Sequence, residues 1–146
     1  MLFKQPVTIP ISDKLYMLIE PYEYRWQHGI NSYKLVIPRG FETDIASVPR
    51  WVWSLFGILP DGLHRAAAVL HDFLYRYNKP HGERLTGYYF KLDAFGLWQD
   101  ISHYPWSRKQ CDRLFMRVMR EAGTVKWKRR AMFWAVRAVG WYGWDR

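Results

Sequence analysis

The sequence predicts an α+β fold in which a small antiparallel sheet, drawn from the N-terminal third, packs against three to four helices. Three observations lead there. Residues 15–26 and 33–38 are dense in aromatic and β-branched side chains and flank a turn-like His28-Gly29-Ile30-Asn31. From Asp61 onward the apolar residues recur at helical spacing. Ser107 and Gly123 then bracket a run of helix formers at the two positions where a cap and a terminator belong.

Taken in order, a short strand is expected at 6–11, around Val7 and Ile9, followed by the strands 15–26 and 33–38. Residues 39–50 read as a loop punctuated by Gly40 and Pro49, and 51–59 as a short apolar stretch ending at Pro60. Asp61 is a natural N-cap for a helix to about Tyr77, with Asn78, Pro80 and Gly82 ending it. Residues 83–106 admit two readings: a helix interrupted by glycines, or an aromatic-rich excursion inserted into the main fold. A helix from Ser107 through Ala122 and a last one over roughly 125–139, ending near Gly140, complete the chain. No repeat or long linker divides it, so 1–146 is expected to be a single domain.

Composition narrows the function classes. The single cysteine, Cys111, excludes an internal disulfide and suits a reducing compartment. No signal-peptide pattern opens the chain, and no run approaches the ~18 apolar residues a membrane span needs. A soluble, cytoplasmic protein is therefore expected. The +9 charge is uneven: residues 1–107 carry a net +1 and residues 108–146 a net +8. That basic end is rich in Trp and Phe, a composition able to meet nucleic acid, anionic lipid or an acidic partner. The plainer reading is an amphipathic helix, with Lys126, Lys128, Arg129, Arg130 and Arg137 in solvent and Trp127, Met132, Phe133, Val136 and Val139 in the core. Specific nucleic-acid recognition is not expected, since no reading motif accompanies the basic cluster.

Residues 64–75 concentrate the chemistry. His71 and Asp72 stand side by side in an apolar helical run, where titratable groups lose solvation and need partners. Asp72 can pair with Arg76 at i,i+4, and Tyr75 lies one turn beyond His71. Two other segments can converge on them: the loop Thr43-Asp44-Ile45-Ala46-Ser47-Val48-Pro49, and Asp112 beside the apolar stripe of Phe115, Met116 and Met119. A carboxylate on one imidazole nitrogen fixes the tautomer and leaves the other as base or ligand. His71 and Asp112 are thus the candidate catalytic pair, and Asp44 and Asp72 the candidate ligands of a divalent metal, calcium or zinc. Thr43, Ser47, His64 and Tyr75 are candidate supporting residues. His64 precedes His71 by two helical turns, ~10 Å, too far to share a metal. Phosphate-binding, dinucleotide and G-x-S-x-G motifs are absent.

The ordered motifs T-D-I-A-S-V-P (43–49), A-A-V-L-H-D-F-L-Y (67–75), R-x-x-x-D-x-x-F-x-x-x-M (108–119) and A-V-R-x-x-G (135–140) resemble an uncharacterised domain family encoded mainly by tailed bacteriophages and prophages. The likeness spans roughly residues 35–140, with 83–106 as an insertion. It implies a phage origin, synthesis in the host cytoplasm, and phage structural proteins as partners, with incorporation into the virion as one outcome. H-D-F-L-Y is also similar to the H-D-x-x-Y signature of phospholipases A2. That likeness implies His71 as base, Asp72 as calcium ligand and Asp112 as the group orienting His71. The glycine-rich calcium loop of those enzymes has no counterpart here. A weaker likeness to HD phosphohydrolases would map their ligands to His64, His71, Asp72 and Asp112, with the first spacing wrong for that family. Two function classes follow. One is a His–Asp hydrolase, with or without an assisting metal, acting on an ester or phosphoester. The other is a non-catalytic virion or tail-assembly protein in which the same residues form a buried polar network.

Overall fold

The computed structural model describes residues 2–13, 15–44 and 62–145. Strands β1 (Thr8–Pro10), β2 (Tyr16–Leu18) and β5 (Glu42–Thr43) form one antiparallel sheet in the order β1-β2-β5. Strands β3 (Tyr22–His28), β4 (Asn31–Ile37), β6 (Tyr89–Leu92) and β7 (Trp98–Asp100) form a second, ordered β3-β4-β6-β7. Among the described residues three helices complete the α+β architecture: α1 (Arg65–Asn78), α2 (Arg108–Glu121) and α3 (Lys126–Trp144). The helices pack in sequence, α1 on α2 and α2 on α3.

The expected strand 15–26 is two strands in different sheets. Pro21 separates them: it has no N–H to donate to a ladder, and it falls between Leu18 and Tyr22 where the chain changes sheet. The turn stands where the sequence placed it. His28 pairs with Asn31, and Gly29 takes φ +61° at the first loop position, which the two-residue hairpin turn with glycine leading requires.

Alternation along β3 and β4 creates two unlike faces. Tyr22, Tyr24 and Trp26 stand opposite Ile37, Leu35 and Tyr33 on the core side. On the other side Arg25 stands opposite Lys34, a repulsive pairing offset by Glu23, at 2.7 Å and 3.5 Å, and by the face of Trp98.

Residues 83–106 are not helical. They carry the β6–β7 hairpin, which extends the sheet by pairing Tyr89 with Leu35, so the sheet is not confined to the N-terminal third. Asp93 turns the hairpin by accepting from Phe95 and Leu97 N–H, and Gly96 adopts φ +79°.

Among the helices, Ser107 caps α2 in a reciprocal box with Gln110, and Gly123 (φ +89°) ends it with Thr124 N–H returning to Met119 C=O. Helix α1 starts at Arg65, with His64 at the cap position and no side-chain cap bond. The expected cap Asp61 and the apolar stretch 51–59 lie outside the described residues. Helix α3 continues through Gly140 to Trp144 instead of ending there.

The core lies between the helices and the four-stranded sheet. Phe73 is at its centre, fully buried against the rings of Phe41, Tyr77 and Tyr88. Phe73→Ala is expected to lower unfolding free energy by about 3–5 kcal/mol, with the denaturant midpoint falling at nearly unchanged slope.

Candidate functional site

Position 71 on α1 faces the two later helices, while position 72, about 100° further round, faces β5. The adjacent pair is therefore split between two environments, and each recruits its own partners.

On the helical side, Asp112 of α2 is completely buried. Its Oδ1 lies 2.6 Å from His71 Nε2 and accepts the Tyr75 hydroxyl at 2.7 Å, while Oδ2 accepts Arg137 Nη1 at 2.8 Å. Burial alone would raise this carboxyl, but the bonds from His71, Arg137 and Tyr75 outweigh it and hold Asp112 below the usual carboxylate range. It is thus a carboxylate, and His71 must present an N–H at Nε2 to it. That assigns the lone pair of a neutral ring to Nδ1, which makes no hydrogen bond among the described residues. Tyr75 is a committed donor, since burial and the Asp112 charge push its phenol well upward. Burial beside Asp112 likewise raises Cys111 and keeps it a thiol, in line with its reading as a core residue.

On the β5 side, desolvation raises the Asp72 carboxyl, with Asp44 adding repulsion and Thr43, Arg76 and His71 working the other way. Arg76 is 3.7 Å from Asp72 Oδ2, beyond hydrogen-bond range, and it anchors instead on the Glu42 carbonyl and the Phe41 ring. Thr43 lies near enough to Asp72 to favour its charged form, yet among the described residues neither Asp72 Oδ2 nor Thr43 Oγ1, both buried, makes a hydrogen bond of full geometry. Orphaned polar atoms are uncommon in native interiors, and Trp106 Nε1 and Thr124 Oγ1 are two further cases among the described residues.

The structure thus brings His71, Tyr75 and Asp112 together in one cluster and sets Asp72 beside Thr43 in another, with Asp44 close enough to perturb Asp72. Ser47 lies outside the described residues. His64 is buried at the N-terminus of α1, two turns from His71. Among the described residues no three His, Cys, Asp or Glu side chains are grouped as a metal site. Cavities of about 420 and 270 Å³ lie along Tyr77–Pro105 and Asn31–Ile101, and neither is lined by His71 or Asp72.

Two participants were missed by the sequence reading. Arg137 was assigned to solvent, yet it reaches Asp112, and its own carbonyl accepts from Arg108. Gly140 was read as a helix terminator. A Cβ there would lie 2.8 Å from the Tyr75 hydroxyl and 3.4 Å from Arg108 Nη1, so the missing side chain is what admits the Tyr75–Asp112 bond. The A-V-R-x-x-G spacing held both residues, but only as part of a motif resemblance.

A family model described as a protein of unknown function (DUF1353) matches residues 16–136. The chain belongs to this family. The DUF1353 match runs from β2 into α3 and includes His71, Asp72, Tyr75 and Asp112, while Gly140 lies just beyond it. The chain is also similar to a Sinorhizobium fredii (strain NBRC 101917 / NGR234) protein described as uncharacterized protein y4jT, 27% identical over 110 residues. That alignment covers 75% of this chain and 25% of the relative, so the chain spans about a quarter of the relative's length. No solved structure matches.

Gly140→Ala, normally favourable in a helix, is expected to destabilise this DUF1353 chain by about 1–3 kcal/mol, measured by chemical denaturation. Asp72→Asn should do the opposite at neutral pH. A raised folded-state pKa means the folded protein holds the Asp72 proton more tightly, so the charged form is a cost that grows as pH rises. The variant is expected to gain roughly 0.5–2 kcal/mol at neutral pH, and the gain should vanish once pH falls below the unfolded carboxyl's range. Comparing parent and variant at each pH isolates this effect from Asp112, whose lowered pKa has the opposite sign.

Proposed function

We propose that this chain is a hydrolase of an ester or phosphoester, with His71 as general base and Asp112 as the residue that positions it. The observation that carries the reading is the 2.6 Å contact between His71 Nε2 and a fully buried Asp112. In this reading His71 Nδ1 takes a proton from water as its oxygen bonds to the carbonyl carbon or phosphorus. The imidazolium that forms is stabilised by Asp112 and returns the proton to the departing alkoxide as the old ester bond breaks. Arg137 and Tyr75 donate to both oxygens of Asp112 and keep its carboxylate from rotating. The local likeness of H-D-F-L-Y to phospholipases A2 agrees with this division of roles.

Asp72, with Asp44, would hold a divalent metal in the same reading. The unpartnered Asp72 Oδ2 and Thr43 Oγ1 favour this, and donors that are all oxygen suit calcium better than zinc. Such an ion would polarise the substrate's oxygen.

A second reading has its own observation. Both Asp112 oxygens accept from protein groups and His71 is only 8% exposed, as expected of a network built to lock three helices together. In that case the chain is a phage virion or tail-assembly protein, made in the host cytoplasm and bound to phage structural proteins, a setting supported by the order of its motifs.

The two readings separate on His71→Ala and Asp112→Asn, tested on chromogenic phosphodiesters and carboxylic esters with and without calcium. The hydrolase reading expects His71→Ala to cost about 10²–10⁴ in turnover with a modest loss of stability. Absence of hydrolysis in the parent, with His71→Ala unfolding the protein, would establish the structural network instead.

A further inference from the structure

Helix α3 turns an unusual face to solvent. Met132 and Val136 are buried, as an amphipathic helix requires, but Trp127, Trp134 and Trp141 are 54%, 68% and 56% exposed. They recur every seven residues and so form one straight row, about 21 Å long, on the side opposite Met132. The sequence had placed Trp127 in the core; its position on the helical wheel puts it outside. Single exposed apolar residues are ordinary, whereas three aligned tryptophans are a surface.

The charge around the row is equally one-sided. Residues 126–144 include five basic residues and no acidic one. Lys126, Lys128, Arg129 and Arg130 crowd the first turns of α3, where the helix dipole is positive, with no acid there and no side-chain cap to offset them. Arg129 is committed to the Thr124 carbonyl and Arg137 to Asp112, which leaves Lys126, Lys128 and Arg130 beside Trp127. Lys128 lies over the Trp127 ring at 5.6 Å. Placing cations at this end of a helix costs stability in the isolated chain, and an anionic partner would recover it.

We propose that the Trp127–Trp134–Trp141 face of α3 docks the protein onto an anionic phospholipid surface. Tryptophan rings are suited to the headgroup level, and neighbouring Lys and Arg side chains meet the lipid charge while the helix lies flat. The row runs straight along one side of a single helix, which fits a plane. Rings about 10 Å apart are spaced too widely to stack successive bases of a single strand. A second copy of the chain would bring cations to cations, since α3 holds no acid to answer them. This inference is independent of hydrolysis by His71. No helix among the described residues is long and apolar enough to cross a membrane, so the contact is peripheral.

The test is co-sedimentation of the full chain with vesicles of phosphatidylcholine alone and of phosphatidylcholine mixed with phosphatidylglycerol. Binding to the mixed vesicles is expected, weakened by salt and reduced about tenfold both in Trp127→Ala/Trp134→Ala and in Lys126→Glu/Arg130→Glu. The second variant puts one acid in the first turn and one just beyond it, near the positive end of the helix, and an unchanged denaturation midpoint separates its loss of binding from loss of fold. Failure to bind the mixed vesicles, or binding unaffected by either variant, overturns the proposal. So does tighter, tryptophan-dependent binding to a single-stranded oligonucleotide, or a tryptophan-dependent dimer in sedimentation velocity.

Discussion

One buried carboxylate ties the helical layer together. Asp112 sits on α2, receives His71 and Tyr75 from α1, and receives Arg137 from α3. Removing a charge from water costs several kcal/mol, and it is tolerated only where good geometry and a full set of hydrogen bonds replace the lost solvent. Asp112 has that full set, and its lowered pKa is the electrostatic record of it. The orientation of three helices is thereby linked to the position of a single side chain.

That constraint propagates outward. Tyr75 can reach Asp112 only because Gly140 leaves space against α3, so a residue that weakens a helix locally is kept where two elements approach. The Tyr75 ring is in turn covered edge-on by Trp144, the last residue of α3. Arg108, beside the Ser107 cap, grips the Arg137 carbonyl and holds the start of α2 against the middle of α3. The opposite side of α1 is built differently. Asp72 and Thr43 are left with unsatisfied oxygens, and burial penalises the Asp72 charge. Adjacent residues of one helix thus sit in opposite electrostatic settings, one carboxylate partner well supplied with donors and the other poorly.

Some elements were legible because their chemistry is local. The Ser107–Gln110 box and the Gly123 terminator act within one helical turn, and the Gly29 turn within four residues. The hairpin at 89–100 was ambiguous because its aromatic residues suit a helix or a strand, and the deciding contact is with β4, more than fifty residues earlier. Asp93 and Gly96 were the readable sign of its turn.

The sequence by itself determined the α+β class, the strand turn, the two ends of α2, and the short inventory of groups able to do acid–base chemistry. Only the tertiary structure decided that His71 and Asp72 part company, that Arg137 is the third partner of Asp112, and that three tryptophans face outward. The physical reason is one of range. Capping, turn geometry and periodicity depend on neighbours along the chain, whereas which faces meet depends on how helices cross and rotate, a property of the packed core as a whole.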